Sequence, residues 1–277
     1  MHTIPAGIET GVADESHSAR TDCTRRGFLK EATCSIGAAV LTVVVGDFHG
    51  VLASEPTGRS SEPVREYDWT RHAYIYLIDT RKCIGCGACV RACAQENNVP
   101  TGYFRTWVER YHVRGIGEPV IDSRDGGING FEPTPESQYA SKAFFVPKLC
   151  NQCVRTPCIQ MCPVGASYRT LDGVVLVDEK RCIGCGYCVQ ACPYGSRFMH
   201  PKLHTASKCT LCYHRLTRGL TTACVQACPV GARMVGDGKR VGDKVLEIIT
   251  TDRVAVLQPE LLTEPNCYYL GITKEVR

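Results

Sequence analysis

The 277-residue sequence has no apolar run long enough to cross a bilayer. Its one sustained small, apolar stretch peaks at residues 37–45 and is interrupted at its end by Asp47 and His49. A spanning helix needs roughly 20 apolar residues, so a membrane anchor is set aside and the mature chain is expected to be soluble or peripheral. A Gly-rich nucleotide fingerprint is also missing: Gly184-Cys185-Gly186 sits inside a cysteine loop and is not followed by the pattern that cradles phosphates. No Ser/His/Asp or paired-carboxylate constellation argues for catalysis. Apolar residues make up an ordinary 44%, which speaks against a disordered chain.

What the sequence has in excess is cysteine, 19 in all. Sixteen fall into four motifs. The first is Cys83-x2-Cys86-x2-Cys89-x3-Cys93, and the second is Cys150-x2-Cys153-x4-Cys158-x3-Cys162-Pro163. The third is Cys182-x2-Cys185-x2-Cys188-x3-Cys192-Pro193, and the fourth is Cys209-x2-Cys212-x11-Cys224-x3-Cys228-Pro229. The third reproduces the ligand run of bacterial ferredoxins in every spacing, and the first does so apart from the final Pro, where Ala94 stands. Three cysteines at two-residue intervals let one tight loop offer thiolates to three iron corners of a cubane. The fourth is expected at the start of a helix, pointing the other way toward a partner cluster, so motifs must work in pairs.

The repetition extends beyond the cysteines. Cys-Ile-Gly-Cys-Gly occurs at 83–87 and at 182–186, and Cys-Pro-x-Gly-Ala/Ser occurs at 162–166, 192–196 and 228–232. Pro there is expected to stop a helix and Gly to let backbone approach a cluster. Ala94 predicts a longer helix running into Gln95-Glu96-Asn97-Asn98. Zinc sites use two Cys-x2-Cys pairs, but three cysteines within seven residues, seen twice, suit a cubane better. Disulfides across sixteen regularly spaced cysteines fit less well still.

Basic residues stand before the motifs: Lys82, Arg181 and Lys208 directly, and Lys148 two positions ahead of the second. They are either solvated surface or cations that raise cluster potentials. His200, His204 and His214 lie between the third and fourth motifs. Since sixteen cysteines already fill sixteen ligand positions, structural or surface roles are expected for them. Cys267 reads as a packed side chain.

Residues 24–30, Thr-Arg-Arg-Gly-Phe-Leu-Lys, precede the short apolar stretch and resemble a twin-arginine export signal, with residues 51–53 as a small-residue cleavage site. The resemblance implies export to the periplasm of a protein already folded around its cofactors. Cluster ligation before export would explain many cysteines in an exported chain, where disulfides are the usual use. Cys23 and Cys34 would leave with the signal. Beyond residue 53 the chain carries 28 basic and 22 acidic residues. Four oxidised clusters, each about −2 with its thiolates, would bring roughly −8. The basic excess therefore more naturally offsets cluster charge than binds nucleic acid.

With these four motifs in this order, residues 73–236 resemble the four-cluster, ferredoxin-like subunits of dimethyl-sulfoxide, polysulfide and tetrathionate reductases and the nitrite-reductase accessory carrier. The resemblance implies that the first motif pairs with the fourth and the second with the third. One cluster would take Cys83, Cys86, Cys89 and Cys228, and its partner Cys93, Cys209, Cys212 and Cys224. In the other pair, one would take Cys150, Cys153, Cys158 and Cys192, and the last Cys162, Cys182, Cys185 and Cys188. No ligand position is substituted, so four [4Fe–4S] clusters are expected.

The expected fold is α+β: two nested bacterial-ferredoxin-like dicluster units with a β-rich insertion. The expected organisation is a signal segment (1–53), a polar linker (54–72), the four-cluster domain (73–236, with 94–146 inserted) and a C-terminal extension (237–277). Strands are expected at 73–79 and 106–113, and a hairpin turn at Asp172-Gly173 between 168–171 and 174–178. Short helices should follow each motif, and the tail should hold a helix over 243–249 and a strand over 254–257. The resemblance implies an electron relay between a membrane quinone-reactive subunit and a periplasmic catalytic subunit of molybdopterin type. A self-standing periplasmic polyferredoxin, or a relay for a hydrogenase or cytochrome complex, is the alternative.

Overall fold

Short β-forming runs bracket the cysteine loops, and the way those runs pair decides which loops meet. The computed structural model describes residues 66–114, 118–273 and 276. The expected signal segment and the linker as far as residue 65 lie outside the described residues. The strands are β1 (Tyr74–Asp79), β2 (Thr106–Val113), β3 (Val120–Asp122), β4 (Lys142–Leu149), β5 (Ser167–Arg169), β6 (Val175–Val177), β7 (Arg197–Met199), β8 (Ala206–Lys208), β9 (Arg233–Asp237) and β10 (Cys267–Leu270). The helices are α1 (Ala88–Glu96), α2 (Pro135–Tyr139), α3 (Pro157–Gln160), α4 (Tyr187–Gln190), α5 (Tyr213–Leu216), α6 (Ala223–Gln226) and α7 (Lys244–Thr251). The mixture of short helices and small sheets is α+β.

β1 is central in a three-stranded sheet, antiparallel to β9 and parallel to β10. Its alternation separates two buried faces. Tyr74, Tyr76 and Ile78 join the main core, which also contains Cys89, Cys209 and Cys224. Leu77 packs with Val245 and Leu270 on the other side, under α7. Asp243 starts α7 by accepting N–H bonds from Val245 and Leu246, and its second oxygen accepts from Asp237. The cap therefore ties the helix to β9 as well as satisfying its first turn.

A second sheet runs β3-β2-β4, and β4 delivers the chain directly into Cys150. Two hairpins, β5-β6 and β7-β8, flank the third motif. The expected turn at Asp172-Gly173 closes the first of these, with Gly173 donating to the Thr170 carbonyl and Thr170 to that of Val174. α1 packs on α6 and α3 on α4.

Three expectations need correction. Helices do not follow the motifs; they lie inside them. The third cysteine of each motif (Cys89, Cys158, Cys188, Cys224) sits in α1, α3, α4 or α6. Cys93 falls in the body of α1, and Cys162, Cys192 and Cys228 lie just past the ends of α3, α4 and α6, so no fourth cysteine opens a helix. The spacing accommodates this: the third and fourth cysteines are four positions apart, and about one turn of helix carries the fourth thiol about 6 Å along the axis from the third, on the same face. The longer first helix does occur, since α1 has nine residues with Asn97 as its C-cap, against four residues in α3, α4 and α6.

The second correction concerns the tail. No strand forms over 254–257; a single antiparallel bridge, Ala255 to Tyr269, is all that remains. The strand is instead β10, whose parallel pairing with β1 cannot be read from local pattern. Third, the end of the supposed linker is not free chain. Residues 66–72 contain a 3-10 turn, Trp69–Arg71, and Tyr67 donates to the carboxylate of Asp172 in the 170–174 turn.

Candidate metal centres

The loops of the first and third motifs share one backbone device. α1 begins at Gly87 (φ +71°, ψ −2°) and α4 at Gly186 (φ +76°, ψ −5°), both in the left-handed region that only glycine enters without strain. The helices of the second and fourth motifs instead begin after Thr156 and Thr222 in extended conformation. In three motifs the Pro-x-Gly segment folds back on the fourth cysteine, with Gly165, Gly195 and Gly231 donating to the carbonyls of Cys162, Cys192 and Cys228. The turn gathers backbone N–H groups around sulfur. Desolvation acts to raise the Cys162 pKa, but N–H groups of Ser167, Val164, Ala166 and Gly165 outweigh it and hold the thiol below its ordinary value. The Ala232 N–H points at Cys228 Sγ from 3.2 Å.

The thiols gather in four sets. Cys83, Cys86, Cys89 and Cys228 line one small cavity together with Arg233. Cys162, Cys182, Cys185 and Cys188 line another. Cys93 feels Cys209, Cys224 and Cys212 directly, and desolvation plus those neighbours push its pKa well up. Asn97 Nδ2 approaches the sulfurs of both Cys93 (3.6 Å) and Cys212 (3.8 Å). In the remaining set, Cys153 is pushed up to about 12, first by burial and then by Cys150, Cys158 and Cys192. The sets also adjoin one another: Cys89 neighbours Cys224, and Cys209 neighbours Cys150.

Exposure follows a gradient. Cys93, Cys209, Cys212 and Cys224 are all buried, whereas Cys185 is exposed and Cys83, Cys86 and Cys228 are partly so. All seventeen described cysteines are free thiols, which removes the disulfide reading for the motifs.

These residues fit iron–sulfur clusters. Four desolvated thiols crowded together resist ionisation, and a cationic iron–sulfur core relieves that repulsion while binding one thiolate at each iron corner. Backbone N–H groups of Ala206 and Leu211 already point at Cys182 and Cys209 sulfur, both from 3.4 Å. A tetrahedral zinc site needs its sulfurs about 2.3 Å from a single point. Among the described residues no three His, Cys, Asp or Glu side chains converge in that way.

The other candidates separate by burial. Lys82 and Arg181 are exposed and lie beside Asp79 and Asp178, the solvated-surface reading. Lys148 is buried but pairs with Glu109 at 2.8 Å. Lys208 is 1% exposed and donates to the carbonyls of Val175 and Cys209. His214 pairs with Glu96, and His200 Nδ1 accepts from the N–H of Lys202 and Leu203, so both have structural partners. Cys267 is fully buried in β10. Sequence reasoning passed over Tyr76, whose hydroxyl lies 3.1 Å from Cys224 Sγ, and the buried Arg197 and Arg233. The two arginines could have been noticed: each stands five residues after the last cysteine of a motif, where Ser167 follows Cys162.

Two family models described as 4Fe-4S dicluster domain match the chain, over residues 82–166 and 141–238. The chain is 45% identical over 200 residues to the tetrathionate reductase B subunit of Archaeoglobus fulgidus, covering 72% of this chain and 83% of that one. It is 37% identical over 254 residues to the tetrathionate reductase B subunit of Salmonella typhimurium, covering 91% and 89%. With the selenate reductase B subunit of Mesobacillus selenatarsenatis it shares 34% over 242 residues, 76% and 74% of the two chains. The chain belongs to the family of ferredoxin-like iron–sulfur electron-transfer subunits built from 4Fe-4S dicluster domains.

Proposed function

We propose that this chain relays single electrons through four [4Fe–4S] clusters, between a membrane quinone-reactive subunit and a periplasmic catalytic subunit of molybdopterin type. The observation that carries the reading is the gathering of sixteen thiols into four sets of four, each drawn from two motifs. Bound clusters would supply reversible one-electron chemistry. The chain's own contribution is to hold the sets in sequence, bury the inner ones and leave the outer ones close to the surface.

The ligand sets are those given by pairing the first motif with the fourth and the second with the third. The β1–β9 pairing and the α1–α6 packing support the outer pair, and the α3–α4 packing supports the inner one. The inner unit is then nested within the outer, with residues 94–146 inserted ahead of it. Cys89 beside Cys224, Cys209 beside Cys150, and Cys158 packed with Cys188 support a single line through the four sets. The relatives named as B subunits of tetrathionate and selenate reductases favour a stable catalytic partner acting on an oxyanion of sulfur or selenium. The Arg25-Arg26 segment supports export, with membrane attachment through the partner.

Anaerobic purification of the tagged full chain from its native host tests this. Iron and acid-labile sulfide are expected at about sixteen each per chain, with a large catalytic chain and a membrane subunit co-purifying. Zinc with little sulfide would overturn the cluster reading. Full loading with no partner would put a self-standing carrier in place of the relay subunit.

A further inference from the structure

Buried cations in this protein fall into two kinds. Arg110 and Lys148 have carboxylates at hand, Asp122 and Glu109. Arg233, Lys208 and Arg197 are 1%, 1% and 4% exposed, and among the described residues none forms an ion pair with a carboxylate. Arg233 Nε, Nη1 and Nη2 and Arg197 Nη2 make no hydrogen bond of normal geometry. Leaving a charge buried and unpaired is among the costliest arrangements a fold can hold.

Topology sharpens the problem. Arg197 and Lys208 are directly opposite in the β7–β8 hairpin, so two like charges share one face of a buried ribbon, where they repel. Arg197 donates to the Ser167 hydroxyl through Nη1 and lies against the Cys188 thiol, and Lys208 donates to backbone carbonyls; none of these partners is a carboxylate. Something anionic must lie against them.

Each of the three stands between two thiol sets. Arg233 lines the cavity of Cys83, Cys86, Cys89 and Cys228 and also acts on Cys224 of the next set. Lys208 acts on Cys209 of that second set and on Cys158 of the third, and its acceptor Val175 packs with Cys158. Arg197 acts on Cys158 and Cys150 of the third set and on Cys188 of the fourth. Three junctions separate the four thiol sets, and each holds one buried cation without a carboxylate partner.

We propose that Arg233, Lys208 and Arg197 are built-in counter-ions, one in each gap, that raise the potential of both flanking clusters and ease repulsion between neighbours reduced at the same time. The inference rests on the four-cluster assignment. A guanidinium is not deprotonated in proteins, so Arg233 and Arg197 are fixed charges; each inner cluster then has a cation on both sides and each end cluster has one on its inner side. Net charge around a cluster is a principal determinant of its potential, and a fixed buried cation is little screened by salt.

The test is an EPR-monitored redox titration of the full chain in its complex, with iron and sulfide measured on every sample. Arg233→Gln, Lys208→Gln and Arg197→Gln should each lower two midpoint potentials and leave two in place, with at least a tenfold change in the one-electron equilibrium, about 59 mV. The shifted pairs should overlap in a fixed pattern: the Arg233 and Lys208 variants share one cluster, Lys208 and Arg197 share another, and Arg233 and Arg197 share none. Charge-conserving Arg233→Lys, Lys208→Arg and Arg197→Lys should restore the potentials. Clusters lost in a Gln variant and kept in its charge-conserving counterpart also support the proposal. Full loading with unmoved potentials, shifts confined to one cluster or spread to all four, or loss of clusters in both variants would overturn it. Wild-type protein without about sixteen iron and sulfide marks failure of the underlying assignment instead.

Discussion

Gly87 occupies a left-handed conformation, φ +71°, and a Cβ there would collide with the carbonyl oxygens of Gly127 and Ile128. Gly242 has nearly the same φ, +74°, but a Cβ there meets nothing within 4 Å. The two separate backbone strain from collision. Gly242→Ala should cost about 1 kcal/mol from left-handed strain alone, lowering the unfolding temperature slightly with iron content intact. Gly87→Ala should cost about 3 kcal/mol, because overpacking adds to the strain, and should also lose iron from the first set. Thermal unfolding and iron analysis of both variants provide the check. At this scale the motif glycines are visible in the sequence, whereas the reason Gly87 is irreplaceable is not, since Gly127 and Ile128 reach it from a distant part of the chain. The basic residues show the same division. Lys82 and Arg181 stand out by their place beside a motif, yet both are exposed. Arg197 and Arg233 lie downstream of their motifs, and the fold buries them between thiols.

The elements were legible where a pattern is local. β2 occupies the expected residues, β1 begins one residue late, and α1 runs on past Cys93 as Ala94 allows. β10 was not legible, because its four residues become a strand only by pairing in parallel with β1. The reversed placement of the motif helices has a similar origin: linear spacing says that thiols must diverge, and only the three-dimensional path shows that a helical turn lies between the third and fourth. α7 offers an element-level prediction. Asp243 is its only side-chain cap and also accepts the Asp237 N–H of β9. Asp243→Ala should destabilise the domain by about 1 kcal/mol, loosening α7 over Leu77 and lowering the unfolding temperature. The cysteine sets, none of which belongs to the apolar cluster under α7, should keep full iron.

For the molecule as a whole, compartment and cofactor are linked predictions. Replacing Arg25 and Arg26 together by Lys keeps charge but removes the paired guanidinium signature. Cell fractionation should then find the chain retained in the cytoplasm with its iron and sulfide in place. Periplasmic recovery at the wild-type level would defeat the export reading.

The sixteen motif cysteines, their grouping by threes and ones, and the glycines that permit the loops were readable from residue order, because thiol spacing and backbone conformation act within a few residues. Which motif donates its fourth cysteine to which loop depends on β1 meeting β9 and on α1 meeting α6, contacts between distant stretches of chain. Burial is likewise a property of the folded whole. It turns three of the many basic residues into unpaired interior charges, each placed where two cysteine sets adjoin.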